Sequence, residues 1–87
     1  MIALPNAAAL AERVVREAGE RSDAQVTRAF QLVLQRAPTE GESRAAQSLL
    51  ADQTQRAIAE GTAQPERAAL KSFCRGLLNV NEMIYVE

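Results

Sequence analysis

The sequence predicts an all-α fold: a compact bundle of about four helices, closed by a short extra helical turn at the C-terminus. Three observations carry that expectation. Apolar residues recur at three- and four-residue steps through four separate stretches. Cap and breaker residues punctuate them, at Asn6, Gly19, Ser22 or Asp23, Pro38, Thr39, Gly61 and Pro65. Strand-like signal is confined to "MIYVE", too short and isolated to build a sheet.

The first helix is expected to begin after Asn6, a good N-cap, and to run to Gly19, a good C-cap. Ala7, Leu10, Ala11, Val14 and Ala18 form its inner stripe, and Glu12 with Arg16 and Arg13 with Glu17 are opposite charges four apart. A second helix, capped by Ser22 or Asp23, ends near Arg36. Its stripe is Val26, Ala29, Phe30, Val33 and Leu34; Leu32 falls off it and either widens the buried face or meets a partner. In "QRAPTEGES", Pro38 stops that helix and biases Ala37 to an extended conformation. Thr39 then stands three residues before Glu42, the capping-box arrangement. A third helix follows with a thin seam of Ala46, Leu49, Leu50 and Ala57, fading around Glu60 and Gly61. Pro65 suits the first turn of a fourth helix, whose Leu70, Phe73, Cys74, Leu77 and Leu78 give the strongest periodicity in the chain. In the terminal "NVNEMIYVE", Asn79 reads as a C-cap and Asn81 as the N-cap of one further turn with Glu82 in it. Met83, Ile84, Tyr85 and Val86 then lie back over the bundle.

An 87-residue chain has room for one domain, residues 1–87, and one modest core. Hydrophobic residues are 47% of it, but 17 are alanine, so large apolar side chains are scarce. Net charge is -1, with ten basic and eleven acidic residues, which is no electrostatic footprint for nucleic acid. One tyrosine and two phenylalanines leave little for base stacking. Histidine is absent, removing the commonest general base and metal ligand together. Cys74 is the single cysteine, and between Phe73 and Leu77 it reads as a buried, inert thiol. No apolar run approaches the ~20 residues of a membrane span. The first residues read as a helix and not as a signal peptide.

Glu12, Glu17, Glu40, Glu42, Glu60 and Glu66 all have helical surface or capping explanations, and nothing places two of them in one cleft. No glycine-rich phosphate loop and no calcium-type acidic loop occurs. No cofactor, metal or small-molecule ligand is therefore expected. Arg36 is more informative. At the end of a helix it is either an exposed capping arginine or a clamp that takes a carboxylate bidentately.

"RAFQLVLQRAPTEGE" followed by "LKSFCRGLLNVNEMIYVE" resembles the C-terminal end of a large planctomycete family of unknown function, PSD-one, found with cytochrome-c-like domains. The matching positions are Ala29, Phe30, Leu34, Arg36, Pro38, Thr39 and Glu42, then Leu77, Leu78, Asn79, Asn81, Glu82, Tyr85 and Val86. Gln35 replaces the family's usual glycine before Arg36, which implies a more regular end to the second helix; Val80 and Met83 also depart from the pattern. The resemblance implies the helical C-terminal portion of a larger, exported protein, or a stand-alone version of it. No haem-attachment motif occurs here. The expected role is a non-catalytic docking or scaffolding domain whose partners are other domains of its parent or a second copy. Its interaction candidates are Arg36, Pro38, Thr39, Glu42, Asn79, Asn81, Glu82 and Tyr85. The alternative is an accessory cap that completes an active site built by parent domains, with Arg36 and Glu82 pointing into a shared cleft.

Overall fold

A computed structural model of the chain describes residues 6–84, and among them every regular element is a helix. α1 (Ala7–Ala18) starts where the Asn6 side chain accepts a hydrogen bond from the Ala9 N–H, at 2.8 Å. It stops at Gly19, whose φ of 83° suits a residue without a Cβ and whose N–H returns to the Val15 carbonyl. α2 (Ser22–Leu34) has Arg21 at its N-cap position, without a side-chain cap. The expected cap at Ser22 or Asp23 is thus corrected by a residue or two. Asp23 sits inside the first turn, where its carboxylate accepts from the Ala24 N–H and is gripped by the Arg21 guanidinium. A negative charge there also answers the positive end of the helix dipole.

α2 stops at Leu34 because Gln35 turns left-handed, at φ 58° and ψ 33°. The expectation of a more regular helix end here is overturned. Gln35 adopts the very conformation that a glycine would take without strain. α3 (Glu40–Ala59) opens on the predicted capping box: the Thr39 hydroxyl accepts from the Glu42 N–H, and the Glu42 carboxylate accepts from the Thr39 N–H. It closes through Gly61, at φ 73°. The N–H of Gly61 bonds to the Ile58 carbonyl and that of Thr62 to the Ala57 carbonyl, the two crossed bonds of a Schellman ending.

α4 (Pro65–Ile84) begins with Pro65 and runs unbroken through Asn79 and Asn81. The expected C-cap at Asn79, N-cap at Asn81 and separate closing turn are therefore corrected to one continuous helix. Cap preferences amount to about 1 kcal/mol, and helical spacing here is sustained by packing. Phe73 and Leu77 are buried, and Asn81, the next residue on their ridge, is half-buried.

α4 packs against all three other helices, whereas α1 and α3 do not pack on each other. α1 runs antiparallel to it, since Ala7 and Ala8 lie beside Arg75 and Leu78 while Val15 lies near Leu70. The core is Leu10 and Val14 from α1, Val26, Phe30 and Val33 from α2, Leu50 from α3, and Leu70, Phe73, Cys74 and Leu77 from α4, with buried alanines between them. Among the described residues no charged or polar side chain is buried. Leu32 and Leu34 are half-buried against this core, so Leu32 widens the buried face of α2. α3 contributes least: Ala46, Leu50 and Ala57 are buried, but Leu49, expected in its seam, is 44% exposed.

Candidate functional site

The sequence candidates of the middle segment converge on one joint. Arg36 lies just beyond the left-handed Gln35, so its side chain turns from the end of α2 toward the start of α3. Its Nη1 and Nη2 donate to Oε1 and Oε2 of Glu42, at 2.7 and 2.8 Å, a bidentate pair. Nη1 also donates to the Ala37 carbonyl at 3.1 Å. The Glu42 Oε1 accepts in addition from the Thr39 N–H, at 2.9 Å. Pro38, half-buried, holds the turn between them with its fixed φ. The guanidinium carbon stands 5.6 Å from the centroid of the Phe30 ring. Phe30 in turn packs on Phe73 of α4, with ring centroids 6.3 Å apart. Arg36 therefore ties the ends of α2 and α3 to each other and to an aromatic pair that reaches α4.

Electrostatics follow from that geometry. The Arg36 guanidinium, with help from the Thr39 N–H, holds the Glu42 carboxyl at about 2 instead of the ordinary 4.5. Glu42 reciprocally raises the Arg36 pKa. A carboxylate this acidic is a poor proton acceptor at neutral pH. The pair is partly solvated, with side-chain exposures of 49% and 38%, so it is a surface clamp and not a buried ion pair. Of the two readings of Arg36, the geometry shows the bidentate clamp; the backbone carbonyl it meets is that of Ala37 in the turn, and not one at the end of α2.

The terminal candidates fall elsewhere. Asn79 is exposed on α4 and borders a hollow beside the start of α1. Asn81 is half-buried farther along the helix. The side chains of Glu82 and Met83, and the whole of Tyr85, lie outside the described residues, as does the expected docking of the last residues over the bundle. Cys74 is fully buried, and burial pushes its thiol up to about 12, well away from a reactive thiolate.

Two groups emerge only from the fold. Glu17 receives Nε–H of both Arg13, at 2.8 Å, and Arg28, at 2.7 Å, so one carboxylate joins α1 to α2 and its pKa is lowered by the two. The Arg13 half was legible as a four-residue spacing, while the Arg28 half spans eleven residues and carries no local signal. The expected Glu12–Arg16 pair is not among the ion pairs of the described residues. A cleft of ≈ 500 Å³ opens where α1 and α3 diverge over α4, floored by Leu50 and Leu70 and rimmed by Gln25, Gln47, Gln64 and Arg67. Among the described residues no group of three His, Cys, Asp or Glu side chains is placed to hold a metal ion, and no helix is long and apolar enough to cross a membrane. The chain matches no protein-family model, no curated protein and no solved structure.

Proposed function

We propose that this chain is a non-catalytic docking or scaffolding domain, which contacts neighbouring domains of a larger protein or a second copy of itself. The observation that carries the reading is the Arg36–Glu42 pair. The two most chemically capable residues of the family-like motif are committed to each other and to the α2–α3 turn. Residues committed in this way stiffen a surface, and a stiff surface lowers the ordering cost of binding. The resemblance to the C-terminal portion of the planctomycete PSD-one family supports the same reading, since such a portion would lie beside haem-bearing and other domains that it would contact.

The accessory-cap alternative needs Arg36 free to address a substrate. Its fork is already filled by Glu42, which weighs against that role. Two measurements test the proposal. Elemental analysis and absorbance of the purified chain are expected to show no stoichiometric metal or chromophore, and either one would overturn it. Light scattering after size exclusion, alone and mixed with any upstream part of its reading frame, is expected to show association. A chain that stays monomeric in both settings at high micromolar concentration is not a docking domain.

A further inference from the structure

Ten cations are distributed over the chain, and among the described residues Arg13, Arg21, Arg28, Arg36, Arg44 and Arg56 each have a carboxylate oxygen within 4.0 Å. Arg16 on α1 and one ridge of α4 depart from this pattern. Arg67, Lys71 and Arg75 follow one another at four-residue steps, all exposed, and none pairs with a described carboxylate. Like charges four apart on a helix repel and weaken it. Arg67 stands at the rim of the large cleft, which Glu20 and Glu66 also line. Lys71 and Arg75 line a different hollow, of ≈ 430 Å³, between the middle turns of α4 and the first turn of α1. Its apolar wall is Ala7, Ala8 and Leu78, and Asn6 and Asn79 edge it with amides. No described carboxylate borders it.

We propose that this hollow seats an acidic segment of a partner protein, with two of its carboxylates paired to Lys71 and Arg75. The proposal rests on the docking reading and gives it a face and a partner chemistry. Residues four apart on a helix are about 6 Å apart along the axis. Carboxylates two apart on an extended segment, at about 6.6 Å, match that separation, as do carboxylates four apart on a helix. The apolar wall accepts the methylenes between them. Nucleic acid fits less well: the positive ridge is short, the overall charge is -1, and Phe30 and Phe73 are buried, leaving no ring for stacking among the described residues.

The test uses the full chain, isotope-labelled, titrated with hexaglutamate and separately with an oligothymidine of similar charge, at low salt. Amide shifts with hexaglutamate are expected to concentrate at Ala7, Ala8 and residues 71–79. The exposed double substitution Lys71→Ala/Arg75→Ala, checked for unchanged helicity, is expected to weaken binding roughly tenfold or more. Arg16→Ala/Arg44→Ala is expected to leave it unchanged. Shifts scattered over every cation, binding indifferent to the Lys71→Ala/Arg75→Ala substitution, tighter capture of the oligothymidine at the same amides, or no binding would each overturn the site. None of these results touches the docking reading, which falls instead on a stoichiometric metal or on failure to associate.

Discussion

Glu42 accepts three hydrogen bonds at once, two from Arg36 and one from the Thr39 N–H. That concentration of donors makes it the residue whose ionisation matters most to the α2–α3 joint. Its carboxyl titrates at about 2 in the fold against an ordinary 4.5. A depressed folded pKa means the contribution is complete above the unfolded value and is lost as pH falls through the folded one. Carbon-detected titration of the Glu42 carboxyl is expected to follow that window, and Glu42→Gln to flatten the acid limb of the stability curve between about pH 5 and 2. Exposure screens the pair, so the effect is modest in salt. Arg36→Ala is expected to lower the urea midpoint, and Arg36→Lys to restore little of it. An ammonium cannot reproduce the bidentate fork on Glu42. An Arg36→Lys midpoint equal to that of the unsubstituted protein would reduce Arg36 to a point charge at a helix end.

Gln35 carries the other residue-scale consequence. At φ 58° its Cβ is strained against its own backbone. Gln35→Gly is expected to stabilise by about 0.5–1 kcal/mol in denaturant unfolding, the relief of strain exceeding the added freedom of the unfolded chain. A destabilised variant would mean that the Gln35 side chain makes up for its backbone. Local reading fails at this position. A non-glycine residue suggests regular helix, but the turn to Pro38 demands a left-handed step whichever residue supplies it.

Among the elements, α4 is the hub, and its one weak point is internal. Gly76 is exposed in mid-helix, and a Cβ built there meets nothing within 4 Å. Gly76→Ala is therefore expected to stabilise by about 0.5–1 kcal/mol, the full helix-propensity difference, read from thermal or urea unfolding. A loss instead would show that a close neighbour needs this surface bare. α3 is the opposite case: long, well capped at both ends, and buried only through Ala46, Leu50 and Ala57. Its boundaries were legible because Thr39, Glu42 and Gly61 act within one turn of themselves. Its burial was less so, since Leu49 and Leu50 are adjacent and only the direction of α4 chooses between them.

At the scale of the molecule, the architecture depends on α4 filling the space that α1 and α3 leave between them. Leu70 is 1% exposed at that centre. Leu70→Ala is expected to cost about 2–5 kcal/mol, by lost burial and by the cavity left behind. That is a large part of the stability such a small core can supply. Native-state hydrogen exchange is expected to rank the α4 amides between Ala69 and Leu77 slowest and those of outer α3 faster, because α3 buries only Ala46, Leu50 and Ala57. Uniform protection across both helices would show that α3 opens only with the whole bundle.

The sequence by itself determined the helical class, the starts and stops of α1 and α3, the start of α4, and most core positions, because caps, prolines and apolar spacing act over a turn or two of chain. It also set the Thr39–Glu42 capping box, while the carboxylate that Arg36 takes was supplied by the fold. The tertiary structure alone decided that Arg36 covers Phe30, that Arg28 shares Glu17 with Arg13, and that Lys71 and Arg75 face the start of α1. It also decided that α4 continues through Asn79 and Asn81 instead of breaking there. Each of these depends on how helices lie against one another, and packing over a whole face outweighs the roughly 1 kcal/mol by which a single residue prefers to end a helix.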